Sequence, residues 1–167
     1  MRALPERLRI EAWADPVVDA LGFDARGPYL DFVALGRLGP TSSWCLRHLA
    51  YGLAARPEGY DLSLVELGAE LGLGRYTGKN SHLARSLNRL EEFGMARGGG
   101  PGGLQVRRRI PPLARAQLAR LSPSARDVHR MMVAARDAEP REPGAETSLA
   151  HRRERPRAAE REAGVGL

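Results

Sequence analysis

The sequence is poor in cysteine and contains no long apolar run. Cys45 is the only cysteine among 167 residues, which excludes an internal disulfide and a multi-cysteine zinc site. No stretch approaches the roughly 18 consecutive apolar residues of a membrane-spanning helix, and the N-terminus has no uninterrupted apolar segment of the signal-peptide kind. We therefore expect a cytoplasmic protein that has no membrane partner.

Aromatic residues are scarce as well, at 5% of the chain, whereas 19 residues are glycine and 12 are proline. The hydrophobic content of 43% still allows a core to be buried. A chain of this length supports one compact domain, or one domain with a flexible extension. The composition therefore predicts a small, aliphatic core.

Lysine is almost absent, since Lys79 is the only one, so the net charge of +6 comes from arginine. Residues 1–60 and 139–167 are each neutral overall, and the excess positive charge lies within 61–138. Between Arg75 and Arg115, nine basic residues accompany only Glu91 and Glu92. A basic patch confined to one structural unit is typical of a polyanion-binding protein. The alternative is an ordinary solvated surface that happens to be rich in arginine.

The first half of the chain shows helix-capping signals and apolar residues at helical spacing. RIEAW indicates a short strand, and Asp15, Pro16 and Gly22 are suited to begin and end a helix. A second short helix is predicted at 28–35. A third, buried helix is predicted at 41–55, where apolar residues recur at helical spacing: Trp44, Cys45, Leu46, Leu49 and Leu53.

Two further capped helices follow a short extended piece at 60–62. Ser63 and Glu66 form a capping-box pattern, and the helix that they begin carries an apolar stripe. After the loop RYTGK, Asn80 or Ser81 can cap the next helix, which ends at Gly94. Its leucines share one face: Leu83, Leu87 and Leu90.

Beyond Gly94 the period changes from helical to alternating. A strand at 95–97, the tip GGGPGG at 98–103 and a returning strand at 104–110 predict a hairpin. Alternation along the returning strand would place Arg107 and Arg109 on its polar face and Arg108 on the apolar face. Two helices are predicted at 113–121 and 125–135, and the mixed-charge segment 137–167 is expected to be disordered.

This order of elements is that of a winged helix-turn-helix, a mainly α fold with a small β-hairpin wing (α+β) and flanking helices. SLVELGAELGLG followed by SHLARSLNRLEEFGMA resembles the second and third helices of bacterial winged-helix regulators. DPVVDALGFD, LGPTSSWCLRHLA and VRRRIPPLARAQLARL are similar to segments of an uncharacterised winged-helix family of high-GC actinomycetes, a resemblance that implies the fold but no particular target. The linker 72–79 is longer than the usual turn of three or four residues.

We accordingly divide the chain into an N-terminal helical extension (1–40), a winged helix-turn-helix core (41–110), C-terminal helices (111–136) and a tail (137–167). The extension and the C-terminal helices, specifically 15–35 and 113–135, are candidate surfaces for a homodimer. Trp44, Phe23, Tyr29 and Phe32 are expected in the core or lining a small pocket, and Cys45 is expected to be a core thiol.

The helix at 80–93 is the candidate recognition helix, because turning its leucines inward leaves a polar outward face. Arginine can contact guanine O6 and N7, and asparagine can read adenine. The wing at 97–109 would then lie on the DNA backbone or in the minor groove. The alternative is a solvated face on which Arg89 pairs with Glu92. The candidate DNA-binding residues are Arg75, Lys79, Asn80, Ser81, His82, Arg85, Asn88, Arg89, Arg97, Arg107 and Arg109.

No pattern indicates catalysis or metal binding, since the four histidines are scattered and no nucleophile–base pair is apparent. We therefore expect no enzymatic activity, no metal and no cofactor. The sequence favours a protein that binds double-stranded DNA with sequence preference, as a transcriptional regulator or nucleoid-associated protein. A winged-helix protein–protein adaptor is the main alternative, and RNA binding is a third.

Overall fold

The computed structural model describes residues 5–75, 78 and 80–139 and has a mixed α/β architecture. Its strands are β1 (Arg7–Ala12), β2 (Phe23–Asp24), β3 (Tyr60–Ser63), β4 (Ala96–Gly98), β5 (Gly103–Val106) and β6 (Arg109–Ile110). Its helices are α1 (Pro16–Leu21), α2 (Leu35–Leu38), α3 (Pro40–Ala55), α4 (Leu64–Glu70), α5 (His82–Glu92), α6 (Arg115–Leu118) and α7 (Pro123–Ala138). A π-helical turn (Leu30–Ala34) leads into α2.

The main sheet has four strands in the order β3-β1-β5-β4. β1 pairs antiparallel with β3 and parallel with β5, so that Ile10 lies opposite Tyr60 on one side and Leu104 on the other. Leu8 and Ile10 point into the core because they alternate with exposed residues along β1. The strand predicted near the N-terminus is therefore a central strand, and the predicted extension and core share one sheet.

Helices α3, α4 and α5 bury leucine-rich faces against this sheet, as their spacing predicts. Tyr60 joins α3 to the sheet, because its hydroxyl donates to the Leu49 carbonyl at 3.3 Å while its ring lies against Gly52. A Cβ atom at Gly52 would come within 2.2 Å of the Tyr60 hydroxyl oxygen. Glycine at this position therefore lets α3 approach β3 closely.

Side-chain caps are present at the predicted starts of α1, α4 and α5. The Asp15 carboxylate accepts from the Val18 amide at 3.2 Å, and the Ser81 hydroxyl accepts from the Ala84 amide at 3.0 Å. The Ser63 hydroxyl likewise accepts from the Glu66 amide. Each cap satisfies an amide at a helix start that has no partner within the helix. These local signals explain why the starts of α1, α4 and α5 agree with the sequence.

The strand predicted at 104–110 is broken, which corrects the expected alternation. β5 ends at Val106, and β6 belongs to a separate two-stranded sheet in which Ile110 pairs with Phe23. Between them Arg107 turns its side chain inward, and the Arg108 carbonyl accepts from the Ala25 amide. Arg108, predicted on the apolar face, is consequently exposed.

The C-terminal part is held to the core through α7. This helix extends to Ala138, beyond the predicted end at 135, whereas α6 is shorter than the predicted 113–121. The remainder of the predicted tail, 140–167, lies outside the described residues. Within the residues that are described, no helix is both long and apolar enough to span a membrane.

Candidate nucleic-acid interface

Helix α5 is anchored by its apolar face and presents its polar face outward. Leu83, Leu87 and Leu90 are buried, at 3% exposure or less. On the opposite side His82, Arg85 and Arg89 are exposed, together with Glu92. The helical spacing therefore assigned the two faces of α5 correctly for these residues.

The outward face of α5 borders an open groove of about 800 Å³. Its other wall is formed by the end of α2 and the start of α3, from Leu38 to Ser42. The α5 side chains along the groove are predominantly polar: His82, Arg85, Ser86, Asn88, Arg89, Glu91 and Glu92. An elongated polar face of this kind is accessible to a large ligand.

The two arginines of this face differ in how they are held. Arg85 contacts only His82 among its described hydrogen-bond partners, with a guanidinium nitrogen 3.1 Å from His82 Nδ1. Arg89 donates to the Arg37 carbonyl at 2.7 Å and lies over the Phe93 ring, 4.9 Å from its centroid. Arg85 is thus the more available of the two, and the Arg89–Glu92 ion pair of the alternative interpretation is not formed.

Ser81 and Asn88 were predicted on the outward face, and the structure places both closer to the protein. Ser81 is buried and its hydroxyl caps α5, so the outward position predicted for it is wrong. Asn88 is half-buried, and its Nδ2 atom is enclosed without a hydrogen-bond partner in the described structure. Asn88 lines both the α5 groove and a second cleft of about 510 Å³ between α5 and the hairpin tip.

The hairpin β4–β5 carries one exposed arginine next to its glycine-rich tip. Arg97 Nε donates to Gln105 Oε1 at 2.7 Å, and its guanidinium lies 4.4 Å from the centroid of the Trp13 ring. Both contacts hold the side chain along the sheet while leaving it exposed. Arg97 therefore remains a candidate for phosphate contact. The contact of Trp13 with the hairpin was not predicted, because no pattern in β1 or just after it connects this residue to the hairpin.

Arg107 points toward the protein, which corrects its predicted position on an outward polar face. Its side chain is 11% exposed and donates to the Gly94 carbonyl and to Asp15 Oδ2, both at 2.8 Å. It also lies over the Trp13 ring at 3.8 Å. The hydrogen bond from Arg107, together with that from the Val18 amide, lowers the pKa of Asp15. Arg107 thus ties the hairpin to the start of α1.

Arg109 is exposed but belongs to the second sheet, where it donates to the Gly22 carbonyl at 2.9 Å. It lines a cavity with Asp19, Asp24 and Arg26, and it borders neither the α5 groove nor the hairpin cleft. The shared polar face predicted for Arg107 and Arg109 is therefore wrong, because the strand bends between them.

The loop before α5 contributes exposed residues. Arg75 and Asn80 are both exposed, and both precede the start of α5 in the sequence. Lys79, which was predicted to contact phosphate, lies outside the described residues. Residues 71–81 separate α4 from α5, so the connection is longer than a standard helix-turn-helix turn.

Several other expectations can be compared with the structure. Cys45 is fully buried, and burial raises the pKa of its thiol to about 12, as expected of a core thiol. Phe23 and Tyr29 are buried and stacked, with centroids 3.9 Å apart. Trp44 and Phe32, however, are about 60% exposed, which corrects their assignment to the core. Among the described residues, no three metal-ligating side chains are clustered.

Comparison with known proteins adds little to this geometry. No family model matches the sequence, and no curated protein matches it. A solved structure of the primosome protein DnaB (residues 1–300) from Geobacillus stearothermophilus aligns with the whole chain at 16% identity and a TM-score of 0.45. The chain spans 58% of that protein's length. At this level of similarity, the likeness carries no argument about what the chain binds.

Proposed function

We propose that this chain is a winged helix-turn-helix protein that binds double-stranded DNA, with α5 in the major groove and the β4–β5 hairpin on the backbone. The observation that carries the proposal is the exposed polar face of α5, which presents Arg85 and Arg89 along the 800 Å³ groove. The groove and the hairpin cleft share Asn88 and Glu91 as lining residues. One ligand of the width of a duplex could therefore contact both elements.

The element order supports this proposal. α3, β3, α4, α5 and the β4–β5 hairpin follow one another in the sequence predicted for a winged helix-turn-helix. The sheet differs from one built only of β3, β4 and β5, because β1, from outside this segment, lies between β3 and β5. It leaves β4 at the edge of the sheet, so the hairpin stays exposed.

Individual side chains divide into two roles. Arg85 is the residue that we expect to contact base edges, because it projects from the first turn of α5 and has few contacts to the protein. Arg75 and Arg97 are exposed on loops and strand edges and would neutralise phosphates, which gives affinity without sequence preference. Asn88 lines the groove, but its Nδ2 atom is enclosed, so it can donate to a base only if the side chain turns outward.

The number of phosphate contacts follows from these assignments. Arg107 is held by Asp15 and the Gly94 carbonyl, and Arg109 lies on the other sheet. About two to four arginines therefore remain for the backbone. Binding to duplex DNA should weaken with salt with a logarithmic slope of about −2 to −4.

Fluorescence anisotropy on a labelled random duplex, measured across a salt series, tests the proposal. Arg97→Gln should reduce the slope by about one, whereas Arg85→Ala should also alter the preferred sequence in a selection experiment. Arg130→Gln is the matched control, since Arg130 is an exposed arginine on α7 whose loss removes the same charge. No binding at low salt, or equal effects of Arg97→Gln and Arg130→Gln, would contradict the proposal.

A protein–protein adaptor is the second candidate, and the exposed stripe on α3 favours it. Trp44 and Tyr51 are 60% and 55% exposed and lie seven residues apart on one helix face. Arg47 lies between them and stacks over Trp44. Tryptophan, tyrosine and arginine are the residues enriched in binding hot spots. Trp44→Ala should leave DNA affinity unchanged but abolish capture of a protein partner if the adaptor function is correct.

A further inference from the structure

A cavity of about 350 Å³ lies between α2, α6 and the C-terminal end of α5. Arg37, Arg120 and Gln117 provide its polar lining, and Phe93 and Leu121 provide most of its apolar lining. It shares no lining residue with the α5 groove. It is therefore a separate site, for which the proposed DNA binding has no use.

The polar side chains of this cavity are all hydrogen-bond donors. The Arg37 guanidinium lies over the Phe93 ring, 4.6 Å from its centroid, and is half-buried. Gln117 uses its Oε1 atom to accept from the Ala114 amide at 2.9 Å, which leaves its NH₂ group as a donor. No carboxylate of the described residues forms an ion pair with Arg37 or Arg120.

The two arginines also repel each other. Burial, and secondarily the positive charge of Arg120, lower the pKa of Arg37. Arg37 is half-buried and Arg120 is exposed at the mouth of the cavity, and like charges that share a cavity without an acid destabilise each other. A bound anion would remove this repulsion and accept hydrogen bonds from both guanidinium groups.

We propose that this cavity binds a small organic anion, with its phosphate or carboxylate group between Arg37 and Arg120 and its apolar body against Phe93 and Leu121. The cavity is at the lower end of the volume range of small-molecule sites, so it accommodates a ligand of about one ring. A phosphate of bound DNA offers the same anionic chemistry but lacks the apolar body.

Thermal unfolding of the full-length chain, followed by tryptophan fluorescence at constant ionic strength, tests this site. The probes are phenyl phosphate, inorganic phosphate and phenol. We expect phenyl phosphate to raise Tm at lower concentration than inorganic phosphate, and phenol to have no effect. Arg37→Gln and Arg120→Gln should each weaken phenyl phosphate binding about tenfold, the usual effect of losing a hydrogen bond to a charged group.

Arg115→Gln serves as the matched control, because Arg115 is an exposed arginine on α6 that does not line the cavity. The proposal would be overturned if both Arg37→Gln and Arg120→Gln bound phenyl phosphate as the wild type does. It would also be overturned if phenyl phosphate raised Tm no more than chloride at the same ionic strength. A second arm repeats the titration with saturating duplex DNA. Persistent phenyl phosphate binding supports a small-molecule site. Displacement by DNA, together with weakened DNA binding in Arg120→Gln, would assign the site to a DNA phosphate instead.

Discussion

The buried hydrogen-bonded pair Tyr29 and His129 offers the most direct test of how α7 is held to the protein. The Tyr29 hydroxyl lies 2.8 Å from His129 Nδ1 and accepts from the Leu113 amide at 3.2 Å. The hydroxyl either donates its proton to Nδ1 or accepts from Nδ1–H, depending on the His129 tautomer. Tyr29 is fully buried and His129 is 8% exposed. One hydroxyl therefore satisfies two buried groups.

Tyr29→Phe removes this hydroxyl while keeping the ring stacked on Phe23. It leaves His129 Nδ1 and the Leu113 amide without their partner. Each unsatisfied buried group costs about 1–3 kcal/mol, so two such groups should lower the free energy of unfolding by about 2–6 kcal/mol. For a chain of this size the loss lowers Tm by about 4–24 °C.

Thermal denaturation at pH 7.5 followed by circular dichroism measures this loss. Tyr51→Phe is the control, since the Tyr51 side chain is 55% exposed and should change stability by less than about 0.5 kcal/mol. A Tyr29→Phe variant that unfolds within a degree of the wild type would refute the reasoning. That result would mean that the hydroxyl does not satisfy both groups.

The same pair predicts a pH dependence. Burial, and secondarily the positive charge of Arg136, hold the pKa of His129 below its usual value of 6.5. The unfolded chain therefore binds this proton more readily than the folded one, so stability is complete above about pH 6.5 and falls as the pH decreases through the lowered pKa. Tyr29 and Arg136 are the titratable groups that face His129. His129→Gln should flatten the loss of stability between pH 7 and pH 5 relative to the wild type, and an identical pH profile would contradict this account.

Three further substitutions separate packing from binding. Arg107→Ala should lower the free energy of unfolding by about 1–3 kcal/mol, because the Gly94 carbonyl loses its charged donor. It should leave the DNA affinity of the folded protein unchanged. Arg97→Ala should instead weaken DNA binding and leave the free energy of unfolding unchanged. Chemical denaturation combined with anisotropy distinguishes them, and weaker DNA binding by fully folded Arg107→Ala would refute the assignment. Gly52→Ala should destabilise the protein by about 1–3 kcal/mol, because the new methyl group meets the Tyr60 hydroxyl; wild-type stability in urea denaturation would show that α3 and β3 can move apart.

The helices could be predicted from the sequence because their signals are local. Ser81 and the leucines that follow it define both the start and the buried face of α5 within one segment. The central position of β1 could not be predicted in this way. Its parallel pairing joins Ile10 to Leu104, and such distant pairing leaves no periodic signal in either segment.

Trp44 was predicted on the buried face of the helix at 41–55, although its angle around the helix does not fit that face. At about 100° per residue, Trp44 lies roughly opposite Leu53 on α3, so the two cannot share one narrow apolar face. The structure buries Leu53 and leaves Trp44 exposed. Apolar character alone therefore does not bury a helical residue, which must also lie at the same angle around the helix axis as the other buried residues.

The run of arginines at 107–109 explains why a count of basic residues overestimated the interface. Arg107 turns inward because Asp15 and the Gly94 carbonyl lie within reach at the end of β5. Arg108 stays exposed at the bend, and Arg109 continues into a different sheet. Three identical neighbours thus reach three environments, since what determines the position of each guanidinium is the nearest available acceptor. A basic segment therefore predicts the sign of the local charge, whereas the residues that remain free to bind DNA follow only from the acceptors that the fold brings to them.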